Sequence, residues 1–70
     1  MKHNRIKEIM KISIVEISAE SGLSTTMTHG YLTGIKGLSA ERALKTESAI
    51  EVCARQRISE VNELLGDSNE

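Results

Sequence analysis

Thr25, Thr26, His29 and Thr33 are the residues of this chain whose types and spacing best suit contact with a ligand. On a helix they share one side with Gly30. Threonine hydroxyls and an imidazole donate and accept hydrogen bonds at neutral pH, so this face is built to read polar edges. Catalysis finds less support. His3, His29 and Cys53 do not form a metal-binding spacing, and the carboxylates are spread over helix surfaces. No phosphate-cradling glycine loop follows a strand, and Gly34 and Gly37 read as helix punctuation. The expectation is a protein that is not an enzyme and uses no cofactor or metal.

Two short helices have to position that face. Ser24 is the natural N-cap of a helix over about Thr25 to Thr33, with Leu23, Met27, Tyr31 and Leu32 as its apolar set. Four threonines and a mid-helix glycine give it poor propensity, so it depends on tertiary packing. Before it, Ser13-Ile14-Val15-Glu16 is a capping box, and Ile12 and Ile17 stand at the two positions of a hydrophobic staple. Ile14 and Ile17 face the core, Ser18 and Ser21 admit a close neighbour, and Gly22 ends the helix. A short helix, a glycine turn and a second short helix outline a helix-turn-helix, which lets one helix enter the major groove of DNA.

The remaining elements are also helical. About Asn4 to Lys11 places Ile6, Ile9 and Met10 on one face, surrounded by Lys2, Arg5, Lys7 and Lys11. After the Gly34–Gly37 loop, Ser39 caps another helix, with Glu41 in its first turn and Ala43, Leu44, Ala49 and Ile50 toward the core. Ile50, Ala54, Ile58, Val61 and Leu65 continue as an apolar stripe. Either one helix runs from about 40 to 65, or a bend near Arg55 to Ser59 separates two. The stripe has two readings: it folds back to complete the core, or it forms a two-fold dimer interface that sets recognition helices about 34 Å apart. Cys53 is a single cysteine, read as a buried thiol, with an intermolecular or reactive thiol as the alternative. The expected fold class is all-α with four to five helices. Residues 1–50 form a DNA-binding domain with its recognition helix at about 25–33, residues 51–65 form a helical extension, and residues 66–70 form a disordered tail.

Seventy residues make one small domain, without proline, tryptophan or phenylalanine. The formal net charge is −1, but it is polarised. Residues 1–45 hold seven Lys/Arg against four Glu; residues 46–70 hold two Arg against six acids. The basic front half suits phosphates while the acidic half points away. No run of about 18 apolar residues is present, so no membrane span is expected. The basic N-terminus has no apolar signal region behind it, so a cytoplasmic location is expected.

On these residues Ile14 to Gly34 resembles the helix-turn-helix of the lambda-repressor-like (Cro/CI, or XRE) DNA-binding domains. Ile17, Ser18, Gly22, Leu23 and Thr28 occupy the motif's apolar, small, glycine, apolar and packed positions. Gly34-Ile35-Lys36-Gly37-Leu38-Ser39-Ala40-Glu41-Arg42-Ala43-Leu44-Lys45 is similar to the family's next loop and helix, particularly in antitoxin-type members. Ser18 stands where alanine is usual, Thr28 where valine or isoleucine is usual, and Ile14 where glutamine is frequent. The resemblance implies base-edge contacts from Thr25, Thr26 and His29, with Gly30 permitting close approach of the backbone. Phosphate candidates are Ser24, Thr33, Lys36, Lys2, Arg5, Lys7 and Lys11. The expected function is a small phage- or prokaryote-type transcriptional regulator that binds operator DNA as a homodimer through Ile50, Ala54, Ile58, Val61 and Leu65. The alternative is an antitoxin-like module that binds a protein partner through its acidic C-terminal half.

Overall fold

Ser13 shows how local chemistry sets the first element boundary. Its hydroxyl accepts from the Glu16 amide at 3.1 Å, and the Glu16 carboxylate accepts from the Ser13 amide at 2.8 Å. Two otherwise orphaned donors are satisfied, which fixes where the helix starts. The structure, a computed structural model, describes residues 2–35 and 37–68. Among them are four helices and no strand: α1 (Lys2–Met10), α2 (Ile14–Ser21), α3 (Thr25–Leu32) and α4 (Ala40–Ser68). None is long and apolar enough to cross a membrane.

α4 is one unbroken helix of 29 residues. At 1.5 Å per residue it is about 43 Å long, and it accounts for most of the molecule's 48 Å long dimension. The helix also includes Gly66 to Ser68, so the tail expected at 66–70 is helical that far; residues 69 and 70 lie outside the described residues. α1 runs alongside α4 in the same direction, with His3 bonded to Glu51 at 3.2 Å and Ile9 to Lys11 lying beside Ile58 and Val61. α2 runs the opposite way. Glu16 at its start meets Arg57, while Glu20 and Ser21 at its end lie beside Leu44 and Ser48.

The core is Ile12, Ile17, Ala49, Ile50, Cys53 and Ala54, with Ile6, Met10 and Leu32 packed against it. Ile12 and Ile17 are both essentially inaccessible, as the staple reading requires. Leu44, expected in the core, is corrected, and Ile9 of the α1 apolar face stays outside it. Leu44 is 62% exposed and Ile9 is 66% exposed. The buried side of α4 is set by Thr46, Ala49, Ile50 and Cys53, and Leu44 falls on the opposite side of the helix. Thr46 takes the core position instead, its hydroxyl donating to the Arg42 carbonyl at 3.0 Å. Ile50 and Ala54, expected in a dimer interface, are also corrected, because both are buried in this core. The stripe is thus divided, with its first part internal and Ile58, Val61 and Leu65 exposed.

Gly22 ends α2 with φ of +77°, and its amide donates to the Ser18 carbonyl at 2.9 Å. A Cβ there would meet no atom within 4 Å, so the cost of Gly22→Ala is backbone strain alone, about 1 kcal/mol. We expect Gly22→Ala to lower Tm by roughly 4–8 °C. Gly37→Ala, which meets no atom and has no positive φ, should leave Tm unchanged or raise it slightly. Thermal melts of the two variants check the pair.

Arg57 ties α4 to the start of α2: one Nη lies 2.8 Å from both oxygens of Glu16. The other, Nη1, is buried without a partner among the described residues. Hydrogen bonds from the Ser13 amide and then from Arg57 hold the Glu16 carboxyl below its ordinary value. The His3 hydrogen bond does the same for Glu51. Protonating either group breaks these bonds, so their contribution is complete above about pH 4.5, the ordinary value of both, and is lost as pH falls below it. Tm should therefore be flat near neutrality and fall below about pH 4.5. Glu16→Gln should lower Tm at pH 7 and make that acid fall shallower, as melts across a pH series will show.

Candidate nucleic-acid interface

The turn between α2 and α3 is closed by serines. Ser18 donates to the Leu23 carbonyl. Ser21 donates to the Ser18 carbonyl and accepts from the Leu23 amide, both at 3.3 Å. Small polar residues at 18 and 21 therefore do more than admit a neighbour, because they use the turn's own backbone groups. Ser24 then caps α3, accepting from the Met27 amide at 3.1 Å. Thr28, fully buried, donates to the Ser24 carbonyl at 2.9 Å. That bond makes a threonine acceptable where an aliphatic residue is the simpler choice.

Packing decides which side of α3 meets solvent. Thr28 and Gly30 are buried, Met27, Tyr31 and Leu32 are half-buried, and Thr25, Thr26 and His29 are exposed. At 100° per residue Thr25, Thr26, His29 and the C-capping Thr33 occupy an arc of about 100°. Gly30 is corrected here, since it lies on the covered side of the helix and does not belong to the exposed face. Tyr31 turns toward α4, its hydroxyl donating to Glu47 at 3.4 Å. Burial, and then the charge of Glu47, raise the Tyr31 pKa. No intramolecular side-chain hydrogen bond engages Thr25, Thr26 or His29 among the described residues, so their donors and acceptors are available to a ligand.

The phosphate candidates separate by geometry. Ser24 uses an acceptor lone pair for its cap, so its hydroxyl proton remains for an anion beside the α3 N-terminus. Thr33 already donates its proton to the His29 carbonyl at 2.8 Å. A phosphate offers only acceptors, so Thr33 must give up that bond to hold one. Asn4 donates to the Leu32 carbonyl at 3.2 Å, which pins the first turn of α1 to the end of α3. Exposed Arg5 follows Asn4 in that turn, whereas Lys2 falls on the opposite side of α1 from Asn4 and its charge acts on Glu51 of α4. Lys7 lies farther along α1, and Lys11, just past its end, lines a groove against α4 instead. Lys36 lies outside the described residues.

Asn4 is the residue that the sequence concealed. Its partner is 28 positions away, and nothing in the local pattern announces that contact. Cys53 is buried, and burial raises its pKa, so it is held as an unreactive thiol. Among the described residues no group of three His, Cys, Asp or Glu side chains is placed to hold a metal ion. No protein-family model, curated protein or solved structure matches this chain.

Proposed function

We propose that this protein binds double-stranded DNA sequence-specifically as a small transcriptional regulator of the lambda-repressor-like helix-turn-helix type, with α2 as the supporting helix and α3 as the recognition helix. The observation that carries this reading is the exposed side of α3. A helix of poor intrinsic propensity is retained with its apolar side packed, and its solvent side displays only side chains with available hydrogen-bonding groups. A purely structural helix gains stability from alanine, glutamate or lysine at such positions. Thr25, Thr26 and His29 contact base edges, the threonine methyls suiting thymine and the imidazole suiting purine N7. Ser24 and Arg5 hold phosphates at the two ends of α3.

The face carries no Arg, Asn or Gln, so it lacks strong bidentate base contacts. Binding by one subunit is therefore weak, and two subunits supply the affinity. Selection from a random DNA pool at about 100 mM salt, where phosphate contacts still contribute, tests the reading. An enriched palindrome with half-sites about ten base pairs apart supports it. A folded protein that enriches nothing overturns it, and moves weight to the reading in which the acidic half of α4, with its exposed apolar residues, binds a protein partner.

A further inference from the structure

We infer that the projecting half of α4 pairs antiparallel with the same segment of a second copy, each helix tip seated in the groove between α1 and α4 of the other. The inference supplies the second subunit that the DNA-binding reading calls for, and rests on that reading only for the comparison with operator spacing. The groove, about 380 Å³, is lined by Ile9, Met10, Lys11, Arg57, Ile58 and Val61. Its apolar side chains are well exposed in one copy, Ile58 at 47% and Val61 at 52%. Farther along the same helix Leu64 is 69% exposed and Leu65 58% exposed. Exposed aliphatic residues on adjoining turns of a projecting helix form a patch suited to covering by another surface.

Charge selects the occupant and its direction. Residues 58–70 hold four acids and no lysine or arginine, whereas residues 2–11 hold four lysines and arginines and one glutamate. The C-terminal end of α4 adds the negative end of the helix dipole. A parallel pair would set acidic tip against acidic tip. An antiparallel pair lays each acidic tip along the basic α1 of the other copy, with Lys11 in the groove it enters. The leucines at 64 and 65 then reach the apolar groove lining, and two-fold symmetry buries both grooves at once.

The spacing can be set beside that of DNA. A two-fold axis near Val61 lies 14 residues from Glu47, the α4 residue that Tyr31 of α3 touches, so the two recognition helices stand about 42 Å apart along α4. One DNA turn is about 34 Å, so each α3 has to lean toward the axis to meet successive major grooves. The overlap, residues 54–68 on each copy, is only about four helical turns and falls short of the roughly 1,600 Å² of a standard interface. The dimer should therefore be reversible, with Kd near the micromolar range.

The test uses the full chain without DNA. Sedimentation equilibrium should show a monomer–dimer exchange that weakens with salt. A spin label at Ser48→Cys in a Cys53→Ala background should report about 40 Å between copies, from 1.5 Å rise per residue. A parallel pair would give less than about 25 Å. Leu64→Glu should abolish the dimer, and Lys11→Glu should weaken it at least tenfold, while helicity and Tm of both, measured below the dimer Kd, stay near those of the parent. A monomer at 200 µM overturns the inference and leaves DNA binding by single subunits to be judged by pool selection. A short label distance, or a dimer indifferent to Leu64→Glu, also overturns it. The expected dimer in a protein that selects no DNA would uphold the pairing and sink the proposed function.

Discussion

Thr26→Ala combined with His29→Ala should abolish sequence-specific DNA binding while leaving the protein as stable as its parent or slightly more so. Both side chains are exposed, and neither is engaged in an intramolecular hydrogen bond among the described residues. Exposed substitutions of this kind usually stay within about 0.5 kcal/mol, and alanine is the better helix former at both positions. On DNA each lost base contact costs roughly 1 kcal/mol at the low end of the usual range. Two contacts in each of two subunits come to about 4 kcal/mol, or roughly a thousandfold in affinity for the selected site. Non-specific binding through Arg5 and the α3 N-terminus should persist, with its salt dependence intact. Titration of the variant against the selected palindrome and a scrambled duplex, beside a thermal melt, separates these terms. Full affinity for the palindrome in the double variant would remove the recognition role from α3.

Ile50→Ala should be the most damaging single change to the fold. Ile50 is fully buried and central to a six-residue core. Truncating a buried isoleucine to alanine costs about 2–5 kcal/mol. A 70-residue domain holds only about 3.5–10 kcal/mol in total at typical values per residue, so the variant should be largely unfolded at physiological temperature or have a urea midpoint less than half that of the parent. Ile58→Ala is the control from the same stripe. Ile58 is about half exposed in one copy, so its monomer stability should fall by less than about 1 kcal/mol. Urea melts at low protein concentration, where copies are apart, compare the two. Equal losses would mean that the projecting half of α4 folds back on the core.

The local parts of this architecture were legible because their causes lie within a few residues. Ser13, Glu16, Ile12 and Ile17 identify the start of α2 through a capping box and staple, and both form. Gly22 marks the end of the same helix because a left-handed residue is needed there. Ser24 and the apolar positions of α3 foretold which side of that helix packs, with Gly30 the exception. At the boundary of the exposed arc, a residue without a side chain is placed by its neighbours and not by its own type. Leu44 was misplaced, and Ile9 left without a partner in the core, for a related reason. Helical spacing groups apolar residues into a side, but it does not tell which groups obtain a partner.

By itself, the sequence determined an all-helical chain, the caps, the turn at Gly22, the polar side of α3 and the opposite charges of the two ends. Propensity, capping and charge are properties of short segments and need no neighbour to be read. Only the tertiary structure decided that α4 is continuous, that its apolar stripe is internal at Ile50 and Ala54 but exposed from Ile58 onward, and that Asn4 and Arg57 fasten α1 and α2 in place. The physical reason is one of length and distance. α1 and α2, with nine and eight residues, span about 12–14 Å each at 1.5 Å per residue and cannot cover a 29-residue helix. The contacts that hold them join residues 28 and 41 positions apart.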